Sequence, residues 1–143
     1  MPHLLADIPV KAWIEHNGKV LLIQELEEKG ARWTLPGGRI ETGEMPRDAM
    51  VREIKEELNL DATVGDILDC NIFTSTSGQA HCIVVFAVTV DPEQPIIIES
   101  GEVSRAEWVA IENIKHLVLR PEYIPIVERQ LLHAKIYTTS SSP

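Results

Sequence analysis

Apolar and polar positions change their spacing several times along this chain, and each change marks an element. Ile8 to Ile14 is rich in β-forming residues and predicts a strand. His16-Asn17-Gly18-Lys19 follows, and an Asn-Gly pair between apolar runs predicts a tight hairpin, because both residues tolerate positive φ. Val20 to Leu26 is the expected return strand and Glu27 to Ala31 a polar loop. Trp33-Thr34-Leu35 is a short strand, halted by Pro36-Gly37-Gly38.

Pro46 suits a first helical turn, where its missing donor costs nothing. The spacing predicts a helix over Pro46–Leu58, ended by Asn59 in a left-handed conformation. Thr63–Phe73 and His81–Val90 read as two strands. The second is a nearly unbroken apolar run, as expected of a strand buried on both faces. Ile96–Ile98 and Ala106–Ile111 are expected as short strands, and Glu112–Leu117 as a short helix. Pro121 opens a last helix to about Ala134, with Ile124, Val127 and Leu131 on its buried stripe. These elements predict an α/β fold, a mixed sheet packed between helices. Residues 1–137 are expected to form one domain, followed by a flexible Ser- and Thr-rich tail, Thr138–Pro143.

Charge narrows the partners. The 143 residues carry 22 acidic and 13 basic side chains, a net charge of −9, which argues against binding extended nucleic acid. A small anionic substrate stays open, because a bound divalent cation inverts the local sign. Cys70 and Cys82 form no CxxC pair and are expected to be inert buried thiols in a reducing compartment. No apolar run reaches membrane-spanning length, and Met1–Asp7 lacks the pattern of a signal peptide. Cytoplasmic residence without membrane association is therefore expected.

The helix carries the candidate chemistry. At about 100° per residue, Glu53, Glu56 and Glu57 share one arc, while Val51, Ile54 and Leu58 form an adjacent apolar stripe. That stripe is expected to face the core, so Val51→Asp should unfold the protein. Three like charges at this spacing repel one another. A solvated acidic face is the ordinary explanation, and oxygen ligands for Mg²⁺ or Mn²⁺ are the other. The Gly-rich turn at Gly37-Gly38 and the acid Glu44 just upstream favour the second, since glycines let backbone approach a phosphate or a metal.

This unit resembles the Nudix box. Gly38, Glu44, Arg52-Glu53, Ile54, Glu56-Glu57 and Leu60 stand at the box's spacing, and only its last glycine is replaced, by Asn59. The resemblance to the Nudix hydrolase family implies an α/β/α sandwich and hydrolysis of a nucleoside diphosphate linked to another group. Carried onto this chain, it implies that Glu53, Glu56 and Glu57 bind the metal, with the carbonyl of Gly37 or Gly38 as a further ligand. It implies that Arg52 orients the carboxylates and that Glu44 joins the same network. Glu53 is the first choice of general base. Some members use an extra acid, for which Glu102 and Glu107 rank above Glu99. Gly37, Gly38 and Arg39 are the substrate-binding candidates. Members acting on ADP-ribose tend to carry a proline downstream of the box, and diadenosine polyphosphate enzymes a tyrosine. Ser75 and Ser77 stand near those places, which points to other nucleotides. Family members are often dimers, so a homodimer is an expectation.

Trp13, Trp33, Trp108 and Phe73 are expected mainly in the core. His81 and Tyr123 are open between core and pocket. Two further readings are a nucleotide sensor of the same fold without turnover, and an unrelated acidic protein whose helix binds a partner. The complete glutamate set argues against the sensor.

Overall fold

In the computed structural model, which describes residues 2–140 and the side chains of residues 2–133, Asn17 and Gly18 turn the chain with φ of 49° and 74°. Two positive angles match the twist of the flanking strands, so β3 (Glu15–His16) folds directly onto β4 (Lys19–Glu25). β4 also pairs with β5 (Trp33–Thr34) and β9 (Val103–Ala110), completing an antiparallel sheet.

The other sheet is mixed. β1 (Ala6–Asp7) and β2 (Pro9–Trp13) run parallel to β8 (Ala80–Thr89). β6 (Gly37–Arg39) lies antiparallel to β2, and β7 (Thr63–Thr74) antiparallel to β8 on its other side. Strand alternation sends side chains to both faces. Val10, Ala12 and Phe86 join Met50, Ile54 and Leu58 of α1 (Pro46–Leu58) in one core. Trp13, Ile83 and Val85 join Ile126 and Val127 of α2 (Ile124–Ser140) in a second. This is the α/β/α sandwich, and it explains the apolar run of β8, which serves both cores.

α1 starts with Pro46 in its first turn. It ends at Asn59, whose φ of 57° and ψ of 33° let its N–H reach the Lys55 carbonyl. The helix sits rolled relative to its sequence stripe. Ala49, Met50, Ile54, Glu57 and Leu58 are buried, whereas Val51 is 43% exposed. Val51 is therefore a rim residue, and the expectation that Val51→Asp unfolds the protein is withdrawn.

Other expectations need correction. Ile96–Ile98 is not a strand. Ile97 donates its N–H to the Leu58 carbonyl at the end of α1, and Ile96 and Ile98 pack on the first core, so this segment caps a helix rather than extending a sheet. Glu112–Leu117 is a 3₁₀ turn over Ile111–His116, and another at Pro121–Tyr123 leads into α2. On the last helical segment, Tyr123, Ile126 and Val127 face inward, Leu131 is partly buried and Ile124 is exposed. α2 runs through residue 140, and of the expected tail only residues 141–143 lie outside the described residues. Among the described residues, no helix is long and apolar enough to cross a membrane.

Candidate active site

α1 projects Arg52 into a ring of oxygens. Its Nε and Nη2 donate to the two oxygens of Glu44 at 2.7 and 2.9 Å, a bidentate fork. Its Nη1 donates to Glu53 Oε1 at 2.9 Å and Glu56 Oε2 at 3.1 Å, and Nη2 reaches the Arg39 carbonyl at 3.1 Å. Bonds to Arg52 and to the Glu41 backbone hold the Glu44 carboxyl down at about 2, and its partners push Arg52 the other way. One guanidinium thus ties the loop before the helix to two of the helical acids.

Glu57 lies on the inward side. It is buried, and its Oε1 accepts from Gly37 N–H at 2.9 Å. Burial pushes its carboxyl up to about 7, against the nearby Lys11 and the Gly37 bond; Glu53 and Glu102 push the same way as burial. Burial also raises Glu53, although Arg52 opposes it. Two glycines make this approach possible. Gly37 has φ of 138°, and a Cβ there would lie 2.0 Å from the Val10 carbonyl oxygen. A Cβ on Gly38 would lie 2.5 Å from the Glu53 carboxylate, so the missing side chain is the space Glu53 occupies.

Gly37, Gly38, Glu53 and Glu57 border a cleft of about 1150 Å³, which Glu44 and Arg52 do not line. Its acids are Glu41, Glu53, Glu57, Glu102 and Glu122. Lys11, Lys29, Arg32, Arg39 and Arg120 supply positive charge, and Phe73, His81 and Tyr123 supply aromatic wall. Lys11 Nζ donates to the Gly37 carbonyl at 3.1 Å and lies over the Tyr123 ring. Arg120 Nε is the one buried side-chain donor without a partner among the described residues. His81 Nδ1 is hydrogen-bonded to Asp7, and its ring stacks on Phe73 at 4.7 Å.

The expected site residues divide accordingly. Gly37, Gly38, Arg39, Glu53, Glu57 and Glu102 border the cleft. Glu56 does not border it; its side chain is 59% exposed and held by Arg52, so the shared arc of three acids opens at that end. Glu107 is paired with Arg105 at 2.9 Å, and neither it nor Glu99 borders the cleft. The Gly37 carbonyl accepts from Lys11, and Gly38 stands opposite Val10 at a bonded position of the β2–β6 ladder, so each backbone candidate already carries a hydrogen bond. Trp13 and Trp33 are core residues, Trp108 packs against the first core, and Phe73 and Tyr123 reach the cleft as well as the core.

Lys11, Lys29, Arg32 and Arg120 escaped the sequence reading. Lys11 had a signal, as the one charge inside an apolar strand. The others come from loops that only the fold gathers.

The donor set fits a divalent cation in kind. Glu53, Glu57 and Glu102 supply hard oxygens, and the upward push on Glu53 and Glu57 is the strain a cation relieves. In the hydrogen bonds among described residues, Glu53, Glu56 and Glu57 each commit a single side-chain oxygen. Among the described residues, no three His, Cys, Asp or Glu side chains already stand at metal-ligand spacing, so binding requires these carboxylates to draw together.

Comparison with known proteins agrees with this geometry. The NUDIX domain model matches residues 9–130. The chain is 31% identical over 121 residues to the CTP pyrophosphohydrolase of Escherichia coli K12, covering 83% of this chain and 87% of that one. It is 32% identical over 121 residues to the ADP-ribose pyrophosphatase of Methanocaldococcus jannaschii, covering 82% and 69%. The solution structure of the E. coli ORF135 protein superposes with a TM-score of 0.74 at 28% identity, covering 96% and 95% of the two chains. A NUDIX hydrolase from Nitrosomonas europaea superposes with a TM-score of 0.76 at 25% identity, covering 92% and 90%.

Proposed function

The chain belongs to the Nudix hydrolase family, and on that premise we propose that it cleaves a pyrophosphate bond in a nucleoside triphosphate by attack of water on phosphorus, with Mg²⁺ or Mn²⁺ as its cation. The observation carrying this reading is the shared cleft, which brings the α1 acids Glu53 and Glu57, the Gly37-Gly38 turn and the basic side chains Lys11, Arg32 and Arg120 to one walled space. Glu53, Glu56, Glu57, Glu102 and the Gly38 carbonyl would hold the metal. When bound, it neutralises phosphate charge and lowers the pKa of water.

The chain's own residues supply the rest. Glu53 takes the proton of the attacking water. Its Oε1 is tied to Arg52, which fixes the carboxylate, and burial makes it a stronger base. Arg52 and Glu44 are positioning residues that hold Glu53 at the Gly38 gap. Lys11, Arg32 and Arg120 would meet the phosphates, with Arg32 and Arg120 exchanging their pairs with Glu25 and Glu122 for the substrate. Arg39 stands at the cleft wall beside them, tied to Asp7.

A triphosphate is preferred because the E. coli relative is named for CTP. The similarity to an ADP-ribose pyrophosphatase supports a nucleotide derivative as the second reading. Cytoplasmic residence, a folded domain over residues 1–137 and a homodimer belong to the same proposal, and light scattering tests the last.

The test is a product-identified screen of nucleoside triphosphates, ADP-ribose and nucleotide sugars, with and without Mg²⁺ and Mn²⁺. The expected result is cation-dependent release of a nucleoside monophosphate and pyrophosphate. Glu53→Gln should lower turnover roughly 10²–10⁴-fold with the fold intact. Nucleotide binding without cleavage of any compound would overturn the enzymatic reading in favour of a sensor.

A further inference from the structure

Cys70 and Cys82 lie outside the cleft on neighbouring strands, and they are not the inert buried thiols expected from sequence. Cys70 is exposed, Cys82 is half-buried, and their Sγ atoms are 3.4 Å apart. The β7–β8 register pairs Cys70 with Val84 and Cys82 with Ile72, so the two cysteines are diagonal neighbours on one face of the hairpin. Diagonal positions start about 7–8 Å apart. Disulfides usually need Cα atoms closer than about 7 Å and sulfurs about 2 Å apart. Closing the bond therefore draws the strands together. Among the described residues β7 pairs with β8 alone and its register already shifts between Val64 and Asp69, while Arg129 of α2 holds Asp69 and Asn71 on either side of Cys70, so the strand moves only against resistance. A bond formed against such resistance is readily reduced, which suits a switch rather than a permanent staple.

We propose that Cys70 and Cys82 form a reversible intramolecular disulfide, driven by a low-molecular-weight disulfide such as oxidised glutathione, that clamps the hairpin walling the cleft. The exposed Cys70 thiolate attacks the glutathione disulfide, forming a mixed disulfide and expelling one glutathione thiolate. Cys82 gives its proton to solvent and attacks the Cys70 sulfur, expelling the second glutathione. Two protein thiols are oxidised and one glutathione disulfide is reduced to two thiols. Burial and the neighbouring Cys70 keep the Cys82 thiol protonated more firmly, consistent with its acting second.

The clamp is coupled to the cleft through the chain it encloses. Phe73 to Thr76, between the cysteines at the hairpin tip, line the cleft, as does His81 beside Cys82. The acids on α1 and the turn at Gly37-Gly38 are separate elements. Oxidation should alter nucleotide binding more than the chemical step.

The full chain is incubated with oxidised glutathione, then alkylated, digested and mapped by mass spectrometry. The expected product is a monomer with no free thiol, no retained glutathione and a Cys70–Cys82 linked peptide, reversed by dithiothreitol. Cys82→Ser should retain glutathione on Cys70, and Cys70→Ser should keep its single thiol far longer. Oxidation of the wild type should shift KM roughly threefold or more while kcat stays within about twofold. Surviving thiols, a stable adduct on wild-type Cys70, disulfide-linked dimers, or an internal bond that leaves KM unchanged would each overturn the clamp. If the reduced protein cleaves no nucleotide, the proposed hydrolysis fails by itself; the thiol mapping still decides the bond, and calorimetric nucleotide affinity replaces KM.

Discussion

Gly37 and Gly38 are adjacent, yet a methyl group meets different obstacles at each. At Gly37 it strikes backbone, 2.0 Å from the Val10 carbonyl oxygen, in a φ of 138° that side chains avoid. Gly37→Ala should therefore cost roughly 2 kcal/mol or more in a urea melt. At Gly38 the methyl strikes only the tip of Glu53, which can swing away. Gly38→Ala should melt like wild type within about 1 kcal/mol, yet lose roughly a hundredfold in turnover, because the displaced group is the proposed base. Equal stability losses in the two variants would contradict this division. Glu57 yields a pH prediction for the metal-free protein. Its carboxyl holds a proton more tightly folded than unfolded, from the ordinary 4.5 up to about 7. Stability present below 4.5 should drain away as pH rises to about 7, by up to about 3 kcal/mol. Urea melts across that window should show the decline, and Glu57→Gln should flatten most of it, since its Oε1 still accepts from Gly37. Glu44 has the opposite sign: its stabilisation is present above 4.5 and is lost as pH falls towards about 2.

At the scale of elements, α1 does two jobs with one roll angle. Turning Val51 outward and Glu57 inward seats the acidic edge beneath β6, where the Gly37 N–H meets it. Ile54→Asp should leave no cooperative thermal transition, since it buries an unpaired charge, whereas Val51→Asp should stay within about 1 kcal/mol of wild type. The reverse ranking would mean that the helix packs on the stripe expected from periodicity. The helix end gives a gentler test. Asn59 occupies the left-handed region at φ 57°, so Asn59→Ala should cost about 1 kcal/mol and Asn59→Gly should be neutral or stabilising. Differential scanning calorimetry of the three proteins orders them.

Over the whole molecule, one cleft draws together side chains of both signs. A chain of net charge −9 gathers five of its 13 basic residues around one cleft. Global charge argues against an extended polyanion, but it could not foresee this local gathering of cations, because Lys11, Arg32 and Arg120 come from separate segments of the chain. The same cleft crowds Glu53, Glu57 and Glu102, so a divalent cation should stabilise the folded state by mass action. At a hundred times its dissociation constant the gain is about 2.7 kcal/mol, read as a rise in melting temperature. Glu53→Gln and Glu57→Gln should each shrink that rise. An unchanged melting temperature in saturating Mg²⁺ and Mn²⁺ would refute the metal assignment.

Local chemistry made much of this protein legible in advance. The Asn17-Gly18 hairpin, the Pro46–Leu58 helix with its Asn59 stop, the two-faced burial of β8 and the spacing of Glu44, Arg52, Glu53, Glu56 and Glu57 each depend on residues within a few turns of one another. What needed the tertiary structure depends on distant partners. Periodicity names a helix's apolar stripe, but packing against β2 and β6 chose its roll, burying Glu57 and exposing Val51. Composition pointed Cys70 inward, but β7 lies at a sheet edge and leaves it exposed. Ile96–Ile98 had a strand's composition, but the open Leu58 carbonyl claimed Ile97 instead. Short-range geometry is written in neighbouring residues, whereas burial, edges and the convergence of Lys11, Arg32 and Arg120 exist only once separate segments share a volume.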